Sequence, residues 1–269
     1  MSIVLITAAF AAALAFILGI TLGFFKDFFA VPEDPMTANI REVLPGANCG
    51  ACGYPGCDKF ASEVAAGNAP ANACTVGGAS VAEKIAAITG TEAGEVVQTA
   101  AVLACQGSSK YAQLKGTYTG ISTCRGAKTA GGIKHCMWGC LGFGDCVKVC
   151  TFGALSMGEN NLPRVDYAKC TGCGLCKKEC PLGLFKMIAK KQKGAITLCS
   201  NYNPVKTMVI RACKIACFKC GICMKNCPQK CINMSIQVPM VDYSRCNSCG
   251  TCVDKCPSKA IRLLEKVIV

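Results

Sequence analysis

At 269 residues the chain has room for one large domain or two to three small ones, and its 25 cysteines, about 9% of the total, far exceed globular usage. Residues 217–227 (CFKCGICMKNC) and 246–256 (CNSCGTCVDKC) are each a C-x2-C-x2-C-x3-C run before proline, a spacing that argues against a disulfide framework and points to [4Fe–4S] clusters. The formal charge of +13 invites a nucleic-acid reading, but each cluster with its four thiolates contributes roughly −2, so six would offset nearly all of it and no nucleic-acid partner is expected.

Residues 2–25, SIVLITAAFAAALAFILGITLGFF, carry no charged side chain and are long enough to cross a bilayer core of about 30 Å. A transmembrane helix is expected rather than a cleaved signal peptide, which would have a basic start and a shorter apolar run. Lys26 beyond its end agrees with a cytoplasmic C-terminal side, and Gly19 with Gly23 forms a G-x-x-x-G packing face.

After a linker with Pro32 and Pro35, Cys49, Cys52, Cys57 and Cys74 are spaced C-x2-C-x4-C-x16-C, which suits one cluster; structural zinc is the alternative. DKFASEVAAG is expected to be a helix, and 80-SVAE-83 has capping-box spacing for a second helix ending near Gly90.

In residues 136–180, Cys170, Cys173, Cys176 and Cys180 before Pro181 form a standard run. Cys136, Cys140, Cys146 and Cys150 depart from it, with x3, x5 and x3 spacings and Thr151 where proline is usual. Cys217, Cys220, Cys223 and Cys227, then Cys246, Cys249, Cys252 and Cys256, repeat the arrangement, and PRVDYAKC (163–170) returns as PMVDYSRC (239–246). The V-D-Y segments are expected to be strands. Crossed ligation, in which three cysteines of one run join the fourth of its partner, gives four clusters.

Five cysteines remain. Cys231 stands where the repeat has Ala154 and Ala260, and reads as a small buried packing residue. Cys105, Cys124, Cys199 and Cys213 flank the first module in similar contexts (VLACQG with ITLCSN, ISTCRG with IRACKI), so a sixth cluster is expected there, with four unrelated thiols as the alternative. His135 reads as a surface residue, and Trp138 and Phe143 as shields of a cluster against water. No nucleotide-binding, zincin or serine-hydrolase motif is present, so no substrate-transforming site is expected and the catalytic set is empty.

The expected class is α+β: a transmembrane anchor and flank (1–28), a small helical four-cysteine domain (29–95), a segment with Cys105 and Cys124 (96–132), a ferredoxin-like module (133–190), a segment with Cys199 and Cys213 (191–214) and a second ferredoxin-like module (215–269), holding five to six [4Fe–4S] clusters in all. This order of modules, over nearly the whole chain, closely resembles the B subunit of the Rnf electron transport complex. The resemblance implies a ferredoxin:NAD+ oxidoreductase that couples electron flow to Na+ or H+ translocation. It makes this subunit the acceptor of electrons from soluble ferredoxin, with its clusters on the cytoplasmic side of the cell membrane and flavin-bearing and other membrane subunits as partners. Lys177, Lys178 and Lys190, Lys191, Lys193 are candidates for a docking face. Alternatives are a membrane-anchored polyferredoxin serving a hydrogenase or a redox-sensor-reducing complex, and a structural or storage metal-thiolate protein.

Overall fold

The computed structural model describes residues 2–28 and 34–268. Its first helix, α1 (Ser2–Phe28), is exposed along its described length, and the span Ile3–Lys26 has a mean hydropathy of 2.7 with none of it buried in the protein. Its 24 residues reach about 36 Å at 1.5 Å each, enough to cross a bilayer core. The Thr7 and Thr21 hydroxyls donate back to the Ile3 and Ile17 carbonyls at 3.1 and 2.7 Å, which satisfies them without water. Gly19 and Gly23 face open space on this helix.

Pro32 lies outside the described residues. Pro35 opens α2 (Pro35–Val43), where its missing N–H costs nothing, and the Asp34 carboxylate caps the turn by accepting the Met36 N–H at 3.4 Å. α2, α3 (Cys57–Ala65) and α4 (Gly78–Thr89) close around Ile40, Phe60 and Ile85, all essentially fully buried. Burial at this level stabilises by about 1.5–3 kcal/mol per large side chain. α3 is the helix expected over DKFASEVAAG. α4 ends at Gly90 in a left-handed cap as expected, but its start differs from the expected capping box. The helix begins at Gly78, its cap is Gly77 with no side-chain bond, and Ser80 lies inside the first turn. The Gly78 N–H bonds the Cys74 carbonyl at 3.2 Å, so the turn carrying Cys74 runs directly into the helix and leaves Ser80 no capping role.

The rest of the chain builds one architecture twice. In the first copy, β1 (Thr99–Leu103) pairs antiparallel with β4 (Phe185–Ala189) and β2 (Leu155–Met157) with β3 (Pro163–Val165). The helices α5 (Cys124–Thr129), α6 (Asp145–Lys148) and α7 (Leu175–Glu179) lie between these strands in sequence. In the second copy, β5 (Ala195–Thr197) pairs with β8 (Ile261–Leu263) and β6 (Ile232–Asn233) with β7 (Met240–Val241). Here the helices are α8 (Lys206–Ala212), α9 (Ile222–Lys225) and α10 (Thr251–Asp254). Segments 96–132 and 191–214 each lend a strand to the module that follows them. The V-D-Y segments are strand only to their valines: β3 ends at Val165 and β7 at Val241, after which the Asp166 and Asp242 carboxylates accept the N–H of Ala168 and Ser244, both at 3.0 Å, and turn the chain.

Two-stranded sheets this short do not hold a domain by themselves. Cysteine completes each core: Cys146, Cys170 and Cys176 are buried with Leu155 and Phe185 in the first module, and Cys223 and Cys252 with Ile232 and Ile261 in the second. Val102, Ile196 and Leu264 join the two modules. Close approach also fixes Gly172, at φ 75°, where an added Cβ would run into the Thr99 carbonyl and hydroxyl oxygens. Gly172→Ala is expected to cost about 1–3 kcal/mol, from overpacking and a disfavoured backbone angle. Gly174→Ala, at the same φ of 75° with nothing within 4 Å, should cost less. Thermal loss of the visible cluster absorbance would rank the two variants, and equal behaviour would show that the contact with β1 does not matter.

Candidate metal centres

Six sets of four cysteines can be traced through the molecule. Site 1 is the helical domain's own, where Cys74 faces Cys49, Cys52 and Cys57. Asn48, at φ 44°, accepts the Cys57 N–H at 2.7 Å and bends the loop so that three thiols meet the fourth. Site 2 is a cavity of the first module lined by Cys150, Cys170, Cys173 and Cys176, the set expected from crossed ligation. In the second module Cys223 faces Cys220 and Cys256, and Cys217 faces Cys223 and Cys256, which makes site 5. Site 6 is a cavity lined by Cys227, Cys246, Cys249 and Cys252, with Cys231 on the same wall.

The remaining eight thiols are grouped differently from the expectation. Cys140, Cys146 and Cys180 share a cavity with Cys124, not Cys136, and this is site 3. Cys136 instead lines a cavity with Cys105, Cys199 and Cys213, which is site 4. Two local devices cause the exchange. The Cys124 N–H donates to Asp145 Oδ2 at 2.7 Å, which draws the start of α5 onto the loop before Cys146. Buried Lys134 donates from Nζ to the carbonyls of Gly107 and Cys140 at 2.7 and 2.6 Å, tying the loop around Cys136 to the backbone after Cys105. Residues 112–114 then act as a shared edge, with Ala112 bridged to Cys213 and Leu114 to Lys134.

The repeat contained this answer. Cys136, Cys140, Cys146 and Cys150 lie 77 residues before Cys213, Cys217, Cys223 and Cys227, so the true counterpart of Cys213 is Cys136 rather than Cys124. On the same offset Phe143 stands where Cys220 does, and Cys124 supplies the ligand position that Phe143 vacates. Its sulfur takes a hydrogen bond from the Phe143 backbone. Phe143 itself packs edge-on against Tyr118, ring centroids 5.5 Å apart, while Trp138 lines the site 4 cavity. His135 is exposed.

Burial raises several of these thiols in the metal-free chain, Cys140, Cys146, Cys176 and Cys217 to about 12 and Cys136 and Cys252 to about 11, with neighbouring sulfurs adding to the effect. Such thiols are neutral near pH 7, and binding iron expels their protons. At site 6, burial pushes Cys231 up to about 12, helped by its bond to Cys227. Cys227 sits below the ordinary value, because hydrogen bonds from the Cys231 backbone and side chain outweigh burial.

The donor sets fit four-iron clusters. Among the described residues no three His, Cys, Asp or Glu side chains come together closely enough for a single ion. Ligands of one zinc would crowd about 2.3 Å from the metal, whereas a four-iron cube holds its thiolates at separate corners, farther apart. Four buried hydroxyls also lack any hydrogen-bond partner, Ser108 and three that adjoin these cysteines: Thr75 next to Cys74, Thr171 next to Cys170, and Ser248 next to Cys249. An unsatisfied buried hydroxyl costs about 1–3 kcal/mol, and cluster sulfur is an acceptor that would relieve it.

The sites adjoin one another. The Cys140 N–H points to Cys105 Sγ at 3.4 Å, joining sites 3 and 4, and the Cys217 N–H points to Cys199 Sγ at 3.4 Å, joining sites 4 and 5. Cys146 faces Cys176 between sites 3 and 2, and Cys252 faces Cys223 between sites 6 and 5. Lys178 Nζ donates to the Gly50 carbonyl at 3.2 Å and holds site 1 against site 2, where Cys173 faces Cys49. Lys178 is exposed and also ties the two domains together.

Comparison with known proteins finds Fe-S domains in the same segments of the chain. A family model for an Fe-S cluster domain matches residues 44–76, and one for a 4Fe-4S binding domain matches 163–185 and 239–262. The chain is 44% identical over 231 residues to the B subunit of the Na(+)-translocating ferredoxin:NAD(+) oxidoreductase complex of Acetobacterium woodii, covering 86% of this chain and 69% of the relative. It is 38% identical over 248 residues to the B subunit of the ion-translocating oxidoreductase complex of Methanosarcina acetivorans, covering 91% and 93%. A proton-translocating counterpart from Clostridium ljungdahlii is 40% identical over 152 residues, 56% of this chain and 54% of the relative. With its apolar first helix, its Fe-S domain and its paired 4Fe-4S domains in the same chain, the protein belongs to the family of B subunits of Rnf-type ion-translocating oxidoreductase complexes.

Proposed function

We propose that the chain is a single-pass, membrane-anchored electron relay with six [4Fe–4S] sites on the cytoplasmic side, receiving electrons from reduced soluble ferredoxin and passing them toward flavin-bearing and other membrane subunits of its complex. When bound, each cluster would take up and release one electron. The protein's own residues set the order of the sites, keep water from them and offer a surface for the donor.

The observation that carries this reading is the make-up of site 4. It draws Cys105 and Cys136 from the first module and Cys199 and Cys213 from the second, so two modules that would otherwise be separate wires become one line. Site 1 ends that line on the domain that follows α1. At the other end Cys220 and Cys249 are the two ligand thiols exposed to solvent. Around them Lys225, Lys230, Arg245, Lys255 and Lys259 are exposed against Asp242 and Asp254, a basic excess suited to an acidic donor. From Ile3 to Phe25, α1 bears no ionisable group, so ion translocation is assigned to partner subunits.

A protein lacking residues 1–28 should be soluble, brown and still reducible by ferredoxin, because every thiol lies after the helix. Its reduction should slow as ionic strength rises from low to moderate, since lysine steering is screened over about 8–10 Å. A cluster-loaded truncation that ferredoxin cannot reduce would refute the docking assignment, and a rate indifferent to salt would refute the steering.

A further inference from the structure

We propose that Cys231 is a hydrogen-bond donor to the sulfur of Cys227 and, with the Ser248 hydroxyl, raises the reduction potential of site 6. The inference rests on the cluster reading above and adds a function for the one cysteine that reading leaves over.

Packing alone does not call for a thiol at this position. The repeat places Ala154 and Ala260 there, 3% and 0% exposed, and Cys231 is buried in the same way at 4%. The added sulfur is 3.4 Å from Cys227 Sγ. A Cys227 thiolate bound to iron has no proton, so Cys231 must be the donor in that contact. A fifth ligand is not needed, because Cys227, Cys246, Cys249 and Cys252 already complete the set. The Asp242 N–H holds the Cys231 carbonyl at 2.8 Å and fixes the residue on the cavity wall.

Ser248 points independently to an acceptor in the same cavity. Its counterpart in the first module is Gly172, 76 residues earlier, in the left-handed region at φ 75°. Ser248 occupies that region at φ 60°, where serine is strained, and its buried hydroxyl lacks a partner although it lines the cavity with Cys231. Strain and an orphaned donor are both offset if the hydroxyl bonds to cluster sulfur. One-electron reduction adds negative charge at the site, and donors to sulfur stabilise it, which moves the potential upward.

The test is an EPR-monitored redox titration with iron analysis of the full-length wild type, Cys231→Ala, Cys231→Ser and Ser248→Gly. Cys231→Ala should keep the wild-type iron content while one of the six potentials falls by roughly tenfold in its reduction constant, about 59 mV for one electron. Ser248→Gly should lower the same potential, and Cys231→Ser, which keeps a donor, should restore most of the shift. Unchanged potentials in both Cys231→Ala and Ser248→Gly, or loss of about four irons in Cys231→Ala but not in Cys231→Ser, would overturn the inference and leave the cluster reading standing. A wild type without iron would sink that reading itself.

Discussion

Replacing Cys136 and Cys140 together by alanine is expected to remove about eight irons per chain, whereas replacing Cys124 and Cys140 together should remove only about four, no more than either single change. The two pairs differ in whether their members share a cavity. Cys124 and Cys140 both line site 3, so the second substitution finds its cluster already lost. Cys136 belongs to site 4 with Cys105, Cys199 and Cys213, so its loss adds to that of Cys140. This is a double-mutant cycle read in irons rather than energies. The grouping suggested by spacing alone would reverse the outcome, with four irons lost for Cys136 with Cys140 and eight for Cys124 with Cys140. Iron and acid-labile sulfide, measured on anaerobically reconstituted protein, separate the two groupings without a structure of the loaded form.

Removing site 4 alone should cut the line in the middle. In a Cys105→Ala, Cys213→Ala variant, sites 5 and 6 should still be reduced by ferredoxin, while sites 1, 2 and 3 stay oxidised on the same timescale. Transfer to the Cys49–Cys74 domain should fall at least about tenfold, a barrier increase of about 1.4 kcal/mol or more. Site 4 is where Cys105 and Cys136 of the first module meet Cys199 and Cys213 of the second, and the Cys140 and Cys217 backbones join it to sites 3 and 5 through the sulfurs of Cys105 and Cys199. Rapid-freeze EPR of the variant mixed with reduced ferredoxin would show two reduced clusters where the wild type shows more. Undiminished reduction of site 1 would mean that electrons reach it without crossing the bridge.

Local spacing carried most of this layout, and long-range pairing carried the rest. Site 1, site 2 and the second module's two sites follow from runs in which a few residues of loop and one short helix bring thiols together, so sequence distance is a fair guide to space. The eight thiols of sites 3 and 4 depend on contacts between distant segments: Lys134 on Gly107, Asp145 on Cys124, and Ala112 on Cys213. The resemblance of ISTCRG to IRACKI was a misleading cue for them. The offset of 77 residues from Cys136 to Cys213, equal to that from Cys140 to Cys217, was the sound one. The capping box at Ser80 failed for a related reason, since a bond from Gly78 back to Cys74 starts the helix earlier than side-chain propensity would.

The number of clusters on the intact chain tests the central claim most directly. Mössbauer spectra with iron and sulfide analysis of anaerobically purified wild-type protein should give about 24 irons and about 24 sulfides per chain, all in [4Fe–4S] form, from six sites of four thiols each. About 20 irons would mean that Cys105, Cys136, Cys199 and Cys213 do not form the bridging site, and a colourless protein holding zinc without sulfide would contradict the relay altogether.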